Sequence, residues 1–187
     1  ENKGIEDKWF SSTLDDHVFL PGTLDENQKV TKNTAEPEFE METFKRLARN
    51  YKYTGPAWYQ KQIVIPQDWA GKRIILKLER VLWQSSAWND NNHVGTQDSL
   101  VTPHIYDISN FTSPGRHTLT IQIDNSYKYN VGSHPNHPGN PLSHAYTEET
   151  QTIWNGIIGE FSLKATDKIY IEDVQVYPDL DDKKARL

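Results

Sequence analysis

Two short stretches decide the fold: Arg73-Ile74-Ile75-Leu76-Lys77-Leu78, and His117-Thr118-Leu119-Thr120-Ile121-Gln122-Ile123. In each of them apolar residues recur at every second position, which is the period of a β-strand that turns one face to a core. The side chains predicted to face inward are Ile74, Leu76 and Leu78 in the first stretch, and Leu119, Ile121 and Ile123 in the second. Helical periodicity is almost absent from the chain, so an all-β fold is predicted.

From Tyr51 onward, similar β-rich runs alternate with turn-forming residues at roughly ten-residue spacing, a pattern typical of a β-sandwich or barrel. The other predicted strands are Ala57 to Ile65, Gln84 to Trp88, His104 to Ile108, Gly159 to Ala165 and Lys168 to Tyr177. Because Pro fixes φ while Gly and Asn tolerate positive φ, loops are predicted at Gly71, at Asn89 to Asn92 and at Ser113-Pro114-Gly115.

The last predicted strand contains a change of phase. Ile169 and Ile171 stand at odd positions, whereas Val174 and Val176 stand at even ones. A period of two holds both pairs on one face only if a residue is inserted between them. The sequence therefore predicts a β-bulge near Glu172-Asp173.

The length of 187 residues fits one domain over residues 1–187, because two ordinary domains with a linker need a longer chain. Residues 1–50 are predicted to be an irregular lead-in packed on the sandwich, with one or two helical turns in Met41 to Arg49. Residues 51–180 are predicted to form the β-sandwich itself. The stretch Asn125 to Asn155 is rich in Pro and polar residues, and so long a connection in a compact domain is usually functional or disordered.

Composition excludes several classes of function. The formal net charge is −6, from 20 basic and 26 acidic residues without a long basic run, so no nucleic-acid partner is predicted. No run of about 18 apolar residues is present to span a membrane. The charged start, Glu1 to Phe10, lacks the pattern of a signal peptide. With no cysteine, the chain has no disulfide and no thiolate chemistry.

Metal sites are not predicted, and neither is a cofactor. His134, His137 and His144 cluster near carboxylates, but a transition-metal site needs a rigid element with defined ligand spacing, and a Pro-rich stretch provides neither. Asp90 and its asparagine neighbours offer oxygen ligands suited to calcium. A polar hairpin tip explains the same residues, and the calcium alternative stays open.

Catalytic motifs are also missing from the sequence. It contains no Gly-x-Ser-x-Gly motif, no recognisable Ser/His/Asp set and no Gly-rich phosphate-binding turn, and no pair of carboxylates is singled out for glycosidic cleavage. What remains is the chemistry that handles sugars, since six Trp and nine Tyr offer faces for stacking while amides and carboxylates bond hydroxyls. Trp58, Trp83 and Trp88 are predicted to be core or semi-buried, and Trp154 to lie at a functional surface.

A series of short motifs runs in a fixed order from Leu20 to Leu180. They are Leu20-Pro21-Gly22-Thr23; Tyr53-Thr54-Gly55-Pro56-Ala57-Trp58-Tyr59-Gln60-Lys61; Ile65-Pro66; Trp69-Ala70-Gly71-Lys72-Arg73; Asp98-Ser99-Leu100; Thr102-Pro103-His104; Tyr106-Asp107; Pro114-Gly115 to Asp124-Asn125; Thr152-Ile153-Trp154-Asn155-Gly156-Ile157-Ile158-Gly159; and Val176-Tyr177-Pro178-Asp179-Leu180. In this order they resemble the N-terminal sugar-binding domain of family 2 glycoside hydrolases, which include β-galactosidases and β-glucuronidases.

The resemblance implies a jelly-roll β-sandwich of the galactose-binding-domain-like type, followed in the parent protein by an immunoglobulin-like sandwich and a TIM barrel. The two catalytic glutamates of that family lie on the barrel, which takes about 250 residues of its own. We therefore expect a non-catalytic accessory domain of an enzyme that hydrolyses O-glycosidic bonds. Its expected partners are carbohydrate and the downstream domains, and its expected location is periplasmic or extracellular, in a bacterium.

The resemblance also implies a site. In similar β-galactosidases the loop before the Trp-containing strand helps shape the active-site mouth, and in this sequence that loop is His144 to Asn155. The candidate carbohydrate-binding or active-site-facing residues are His144, Glu148, Glu149, Gln151, Thr152, Trp154 and Asn155. Thr152 stands where some relatives have an acidic residue, and the hairpin Trp88-Asn89-Asp90-Asn91-Asn92 is longer and more polar than the common one. The identity of the sugar therefore does not carry over, and no catalytic residue is named.

Two other functions stay open at this point. A free-standing carbohydrate-binding module, or lectin, exposes two or three aromatics in a row on a sugar-sized groove, whereas an accessory domain hides them at a junction. A purely structural spacer binds nothing and has a mobile loop from Asn125 to Asn155. The position of the aromatic side chains separates the first two alternatives.

Overall fold

The structure is a computed structural model that describes residues 3–34, 50–99, 101–126, 154–179, 181 and 183–186. Its strands are β1 (Gly22–Thr23), β2 (Thr31–Lys32), β3 (Tyr51–Lys52), β4 (Pro56–Ile65), β5 (Arg73–Arg80), β6 (Gln84–Asn89), β7 (Asn92–Asp98), β8 (His104–Asp107), β9 (Gly115–Asp124), β10 (Gly156–Thr166), β11 (Tyr177–Asp179) and β12 (Lys184–Arg186). The helical elements are α1 (Lys3–Glu6) and the 3-10 turns Trp9–Ser11, Gln67–Trp69 and Ser109–Phe111. Among these helices, none has the length and apolar character needed to cross a membrane.

Two four-stranded antiparallel sheets form the body of the fold. Sheet I has the strand order β1-β10-β5-β8, and sheet II has the order β4-β9-β6-β7. Two short antiparallel pairs, β2 with β3 and β11 with β12, lie outside them. The predicted all-β jelly-roll sandwich is confirmed.

The hydrophobic core lies between the two sheets and follows the predicted alternation. None of the six side chains predicted to face inward from Arg73–Arg80 and Gly115–Asp124 is more than 3% exposed. They pack in one cluster with Tyr59 and Ile65 of β4, Tyr106 of β8 and Ile157 of β10. A period of two therefore sufficed to predict which face of β5 and β9 is buried.

One side of the sandwich is closed by a side chain that acts as a strand partner. The backbone N–H of Ile105, in β8, donates to Oε1 of Gln97, in β7, at 3.1 Å. Nε2 of Gln97 donates in turn to the carbonyl of Ile105. The amide thus ties the outer strand of sheet II to the outer strand of sheet I.

The outer face of sheet II carries a second aromatic cluster under an N-terminal strap, which we define as residues 3–12. The Trp58 and Trp88 rings lie 5.0 Å apart. Phe10 stacks parallel to Trp88 at 5.5 Å, and Trp9 packs edge-on against Trp58 at 6.0 Å. A Cβ added to Gly4 would lie 2.5 Å from the Trp58 indole, so only glycine fits there.

The predicted burial of three tryptophans is confirmed, in a different place from the main core. Trp83 and Trp88 are each 5% exposed, and Trp58 is half-buried. Trp58 and Trp88 point away from the space between the sheets because their neighbours Tyr59 and Ala87 point into it. They are covered by the strap instead.

The predicted strand Lys168 to Tyr177 is wrong, and so is its bulge near Glu172-Asp173. Residues 167–176 have no strand pairing, and only Tyr177–Asp179 forms a strand in this region. The apolar side chains that defined the pattern are exposed, with Ile169 at 95% and Ile171 at 80%. Within the described part of the chain nothing covers them. Alternation of apolar residues indicates that a segment can form a strand, but it does not supply a second surface for that strand to pack against.

A smaller correction concerns the hairpin after β6. The stretch Asn89 to Asn92 is not all loop, since Asn89 ends β6 and pairs with Asn92 at the start of β7. The strand Asn92–Asp98 escaped prediction because it holds a single large aliphatic residue, Val94. The irregularity in β10 lies between Ile158 and Phe161.

The lead-in contributes a strand as well as irregular structure. Gly22 pairs with Ile157 and Thr23 with Gly156, which adds β1 to sheet I. The carboxylate of Glu26 accepts hydrogen bonds from the Thr23 N–H at 2.8 Å and the Thr23 hydroxyl at 3.0 Å. The helical turns predicted in Met41 to Arg49 lie outside the described residues.

Candidate functional site

The ends of several strands meet at one end of sheet II. Asp124 at the end of β9 pairs with Pro56 at the start of β4 and with Gln84 at the start of β6, which pairs with Asp98 at the end of β7. The chain leaves this end of the sandwich after Asn125 and Ser126. It returns at Trp154 and Asn155, directly before β10.

Asn155 is a predicted site residue, and the structure places its side chain inside the protein. It is 2% exposed. Its Oδ1 accepts a hydrogen bond from the Tyr59 hydroxyl at 2.7 Å, and its Nδ2 donates to the carbonyls of Gly55 at 3.0 Å and Ile123 at 3.1 Å. Burial raises the pKa of Tyr59, so the hydroxyl keeps the proton that it donates to Asn155.

Asn125 occupies the equivalent position at the other end of the same stretch and is fully buried. Its Oδ1 accepts from the Gly55 N–H at 2.9 Å. Its Nδ2 donates to the carbonyls of Tyr53 at 2.9 Å and Trp154 at 3.1 Å. The Nδ2 atom of Asn155 lies 3.5 Å from the Oδ1 atom of Asn125.

Together these two side chains form what we call the asparagine clamp, which consists of Asn125 and Asn155 bound to Tyr53, Gly55 and Tyr59. The backbone carbonyl of Asn155 also accepts from the Leu24 N–H at 2.8 Å. The clamp fastens the chain before residue 127 and after residue 153 to the same short turn that precedes β4. Every polar atom of both amides is used, which is the condition for burying such groups without a large penalty.

A small aromatic cluster lies beside the clamp and apart from the main core. Leu82 and Trp83 are buried, and the half-buried Trp154 packs against them. The backbone of Trp83 is held on both sides, since its N–H donates to the Asp124 carbonyl at 3.4 Å and its carbonyl accepts from Ser99 at 3.0 Å. Trp154 is therefore partly exposed and packs on two buried side chains.

The sequence-predicted site is described only in part. Trp154 and Asn155 lie next to each other at the start of β10. His144, Glu148, Glu149, Gln151 and Thr152 lie outside the described residues, and their assignment stays a prediction. The structure adds Asn125, Tyr59 and Trp83 to this end of the sandwich.

The sequence does contain a signal for the clamp residues. Asn125 continues the inward positions of Leu119, Ile121 and Ile123, and Asn155 shares the parity of the buried Ile157. A polar residue at an inward position must find partners inside the protein. The parity of both asparagines was therefore a readable indication of a buried network.

The arrangement offers stacking and hydrogen bonding. An indole face at the surface stacks on the C–H side of a sugar ring. Among the described residues, no group of three or more His, Asp or Glu side chains is arranged to hold a metal ion. A cavity of about 1050 Å³ lies elsewhere, between residues 13–18 and β4; it reaches Tyr53 and Tyr59 but is not lined by Asn125, Trp154 or Asn155.

The fold defines an all-β sandwich domain, and comparison with known proteins names the family. Residues 1–137 match the family described as "Glycosyl hydrolases family 2, sugar binding domain". This match covers well over half of the chain. The chain belongs to that family, and the resemblance inferred from the ordered motifs is confirmed.

The chain is similar, at low sequence identity, to proteins named beta-glucuronidase and beta-galactosidase. It is 24% identical to a beta-glucuronidase of Paenibacillus borealis over 126 residues, which cover 67% of the chain and 19% of that protein. It is 23% identical to a beta-galactosidase of Priestia megaterium over 177 residues, which cover 94% of the chain and 15% of that protein. The chain thus spans less than a fifth of the length of these curated relatives.

Solved structures support the fold. A beta-glucuronidase of an uncultured Clostridium species superposes with a TM-score of 0.67 at 20% identity, covering 98% of this chain and 29% of that one. A beta-glucuronidase of Ruminococcus gnavus superposes with a TM-score of 0.53 at 17% identity, covering 67% of this chain and 18% of that one. At these identities the likeness establishes the sandwich alone.

Proposed function

We propose that this chain is the non-catalytic, N-terminal carbohydrate-binding accessory domain of a longer family 2 glycoside hydrolase. The end of the sandwich that carries the asparagine clamp and Trp154 helps to shape the active-site mouth of a barrel domain. The parent protein hydrolyses O-glycosidic bonds. The observation that carries the proposal is the half-buried Trp154, held beside Trp83 at the point where the stretch Asn125 to Asn155 leaves and rejoins the sandwich.

The extent of the matches supports a larger parent protein. The relatives named beta-glucuronidase and beta-galactosidase extend far beyond the part that this chain covers. The resemblance places the general acid and the nucleophile on a barrel of about 250 residues, which a chain of 187 residues with a full sandwich does not contain. We therefore assign no catalytic step to residues of this chain.

An exposed apolar segment supports a downstream domain as partner. Between Ile169 and Tyr177 the exposed large side chains are Ile169, Tyr170, Ile171, Val174, Val176 and Tyr177. Several large apolar side chains exposed within one short segment suggest a surface that another part of a protein covers. We propose that the segment packs against the immunoglobulin-like domain that follows in the parent protein.

Steady-state kinetics of the protein extended to the natural end of its reading frame test the role of Trp154. The change Trp154→Ala removes the exposed indole, and we expect KM for the cleaved nitrophenyl glycoside to rise five- to thirtyfold, as the loss of about 1 to 2 kcal/mol of stacking predicts. Trp9→Ala is the matched control, since it removes an indole from the strap on the outer face of sheet II. Equal KM values for wild type, Trp154→Ala and Trp9→Ala would contradict the proposal.

A free-standing carbohydrate-binding module is the second candidate, but such a module exposes two or three aromatics in a row, whereas Trp154 is half-buried and Trp83 beside it is 5% exposed. Titration of this chain with oligosaccharides, followed by NMR, separates the two functions. Saturable shifts confined to Trp154, Asn125 and their neighbours favour independent binding. Absence of shifts at millimolar ligand excludes the independent module and leaves the accessory domain.

A further inference from the structure

We propose that Asn125 and Asn155 are positioning residues for the sugar-facing end of the sandwich, acting on the ligand through Trp154. This inference rests on the proposed function and deepens it. Neither side chain reaches the ligand itself, since both are buried and their amides are fully bonded inside the protein.

The first argument is that a stable core does not call for amides at these positions. The preceding inward positions of β9 hold Leu119, Ile121 and Ile123, and the next inward position of β10 holds Ile157. Apolar side chains would continue the packing there without any need for partners. Buried amides instead make directional bonds, which fix the positions of the groups that they join.

The second argument is that the bonds converge on chain ends rather than on the body of a strand. Asn125 binds the carbonyl of Trp154, 29 residues further along the chain, and Asn155 binds the carbonyl of Ile123, 32 residues back. Each end of the intervening stretch is therefore tied to the other. Among the described residues, the two ends are joined by these side-chain hydrogen bonds.

The third argument is that the common anchor of the clamp is itself held. Tyr53 donates from its hydroxyl to the Pro56 carbonyl at 2.6 Å across the turn. Gly55 has a φ of +141°, and a Cβ added there would lie 3.2 Å from the Tyr53 hydroxyl oxygen. Tyr59 reaches Asn155 from within β4. Trp154 is thus linked to the turn before β4 through two hydrogen bonds, by way of Asn125 and Gly55.

The test compares Asn125→Ala and Tyr59→Phe with Ser85→Ala as a matched control. Ser85 is buried in β6 beside Ile123, and the hydrogen bonds described for its hydroxyl go to His104 and Tyr106 and not to a clamp residue. Asn125→Ala removes the partner of the Gly55 N–H. Tyr59→Phe removes only the donor to Asn155 and keeps the ring, so it tests the same inference if Asn125→Ala does not fold.

Two readouts are measured on these variants. In this chain, hydrogen exchange of the Gly55 amide, followed by NMR, is expected to accelerate at least tenfold in Asn125→Ala relative to Ser85→Ala. In the protein extended to its natural end, KM is expected to rise at least fivefold in Asn125→Ala and in Tyr59→Phe, with kcat within twofold of wild type. Ser85→Ala is expected to leave KM unchanged, because a loss of folded protein lowers apparent kcat and not substrate affinity.

The outcomes separate this inference from the proposed function. A raised KM in Trp154→Ala, with unchanged KM in Asn125→Ala and Tyr59→Phe, would leave the proposed function standing and overturn the positioning role. Unchanged KM in Trp154→Ala as well would overturn both. If KM rises equally in Ser85→Ala and Asn125→Ala, the effect comes from a general loss of stability and not from positioning, and the inference is contradicted.

Discussion

At the scale of single residues, the inward positions of this sandwich hold apolar side chains and buried amides, which have different roles. Leu76, Leu78 and Ile123 are fully buried and exclude water from the space between the sheets. Asn125 and Asn155 are buried equally well, but their amides hold backbone at the end where the chain leaves and rejoins the fold. Burial alone therefore does not distinguish packing residues from those that define geometry.

The packing role of the predicted core is testable by truncation. Leu76→Ala and Ile121→Ala are each expected to lower the free energy of unfolding by about 2 to 5 kcal/mol, because each leaves a cavity between the sheets. Urea denaturation measures the change. Val64→Ala is the control, since Val64 is 67% exposed on the outer face of β4, and its cost is expected to stay below about 0.5 kcal/mol. Equal costs for all three changes would refute the strand register.

His117 links stability to pH through its two ring nitrogens. Nδ1 lies 2.7 Å from the Asp90 carboxylate and Nε2 lies 2.7 Å from the Ser113 carbonyl, so both nitrogens face acceptors. Burial by itself lowers the pKa of His117, but these two partners outweigh it and the pKa is raised. A raised pKa contributes stability that is fully present below the unfolded value of about 6.5 and is lost as pH rises through the folded pKa.

Unfolding free energies of wild type and His117→Gln, measured by denaturant titration from pH 5 to pH 8, test this linkage. The advantage of wild type is expected to be largest at pH 5 and to shrink as pH rises. His17→Gln is the control, because His17 is exposed and its side chain has no hydrogen-bond partner among the described residues. A difference between wild type and His117→Gln that is constant with pH would contradict the account.

At the scale of elements, the sequence predicted strands from apolar alternation, as in Arg73–Arg80 and Gly115–Asp124, and from β-forming residues between turns, as in Gln84–Asn89. The strands at Pro56–Ile65, Arg73–Arg80, Gln84–Asn89 and Gly115–Asp124 all match their predictions within two residues at either end. β7 escaped because Asn92–Asp98 is mostly polar and is recognised only by its pairing with β6. Lys168 to Tyr177 was predicted to be a strand because its apolar residues alternate, but alternation does not show which surface covers them, and only Tyr177 lies in a strand.

The candidate site was predictable to a smaller degree. Trp154 was singled out from its place beside the long stretch, and the structure finds it half-buried against Trp83. Asn125 was not singled out, because a lone asparagine at the end of a strand is common in turns. Its role depends on Gly55 and Trp154, which lie 70 and 29 residues away along the chain. Only the fold brings such distant residues together.

The junction of β1 and β10 depends on a glycine. Gly156 has a φ of +148°, and a Cβ there would lie 2.2 Å from the Gly22 carbonyl oxygen and 2.8 Å from the Thr23 Cα. Backbone atoms of a paired strand cannot move aside. Gly156→Ala is expected to cost at least about 2 kcal/mol of unfolding free energy, as measured by thermal or urea denaturation.

Gly95→Ala is the matched control for that change. Gly95 lies in β7, and a Cβ there would meet only the Tyr106 ring at an ordinary 3.9 Å. Its cost is expected to stay within about 1 kcal/mol. If Gly156→Ala were as mild as Gly95→Ala, the described pairing of β1 with β10 would be wrong.

At the scale of the whole molecule, the described residues present three apolar surfaces, and two of them are covered within the described chain. The space between the sheets is filled by the core. The outer face of sheet II is covered by the strap, whose Trp9 and Phe10 rings pack on Trp58 and Trp88. The third surface, from Ile169 to Tyr177, is left exposed, in keeping with a domain that continues into another one.

The strap is expected to contribute to the stability of the sandwich. Phe10→Ala removes the ring that stacks on Trp88 and is expected to lower the free energy of unfolding by about 1 to 3 kcal/mol. Phe19→Ala is the control, since Phe19 is 88% exposed. Urea denaturation followed by tryptophan fluorescence measures both. Equal stability of the two variants would mean that the strap is not docked in solution.

Hydrolysis of a panel of nitrophenyl glycosides, including β-glucuronide and β-galactoside, is the most direct test of the accessory-domain account. The panel is measured for this chain alone and for the protein extended to the natural end of its reading frame. We predict hydrolysis by the extended protein only, and the glycoside that it cleaves names the sugar. Hydrolysis by the 187-residue chain alone would contradict the account and would place the catalytic carboxylates within this chain.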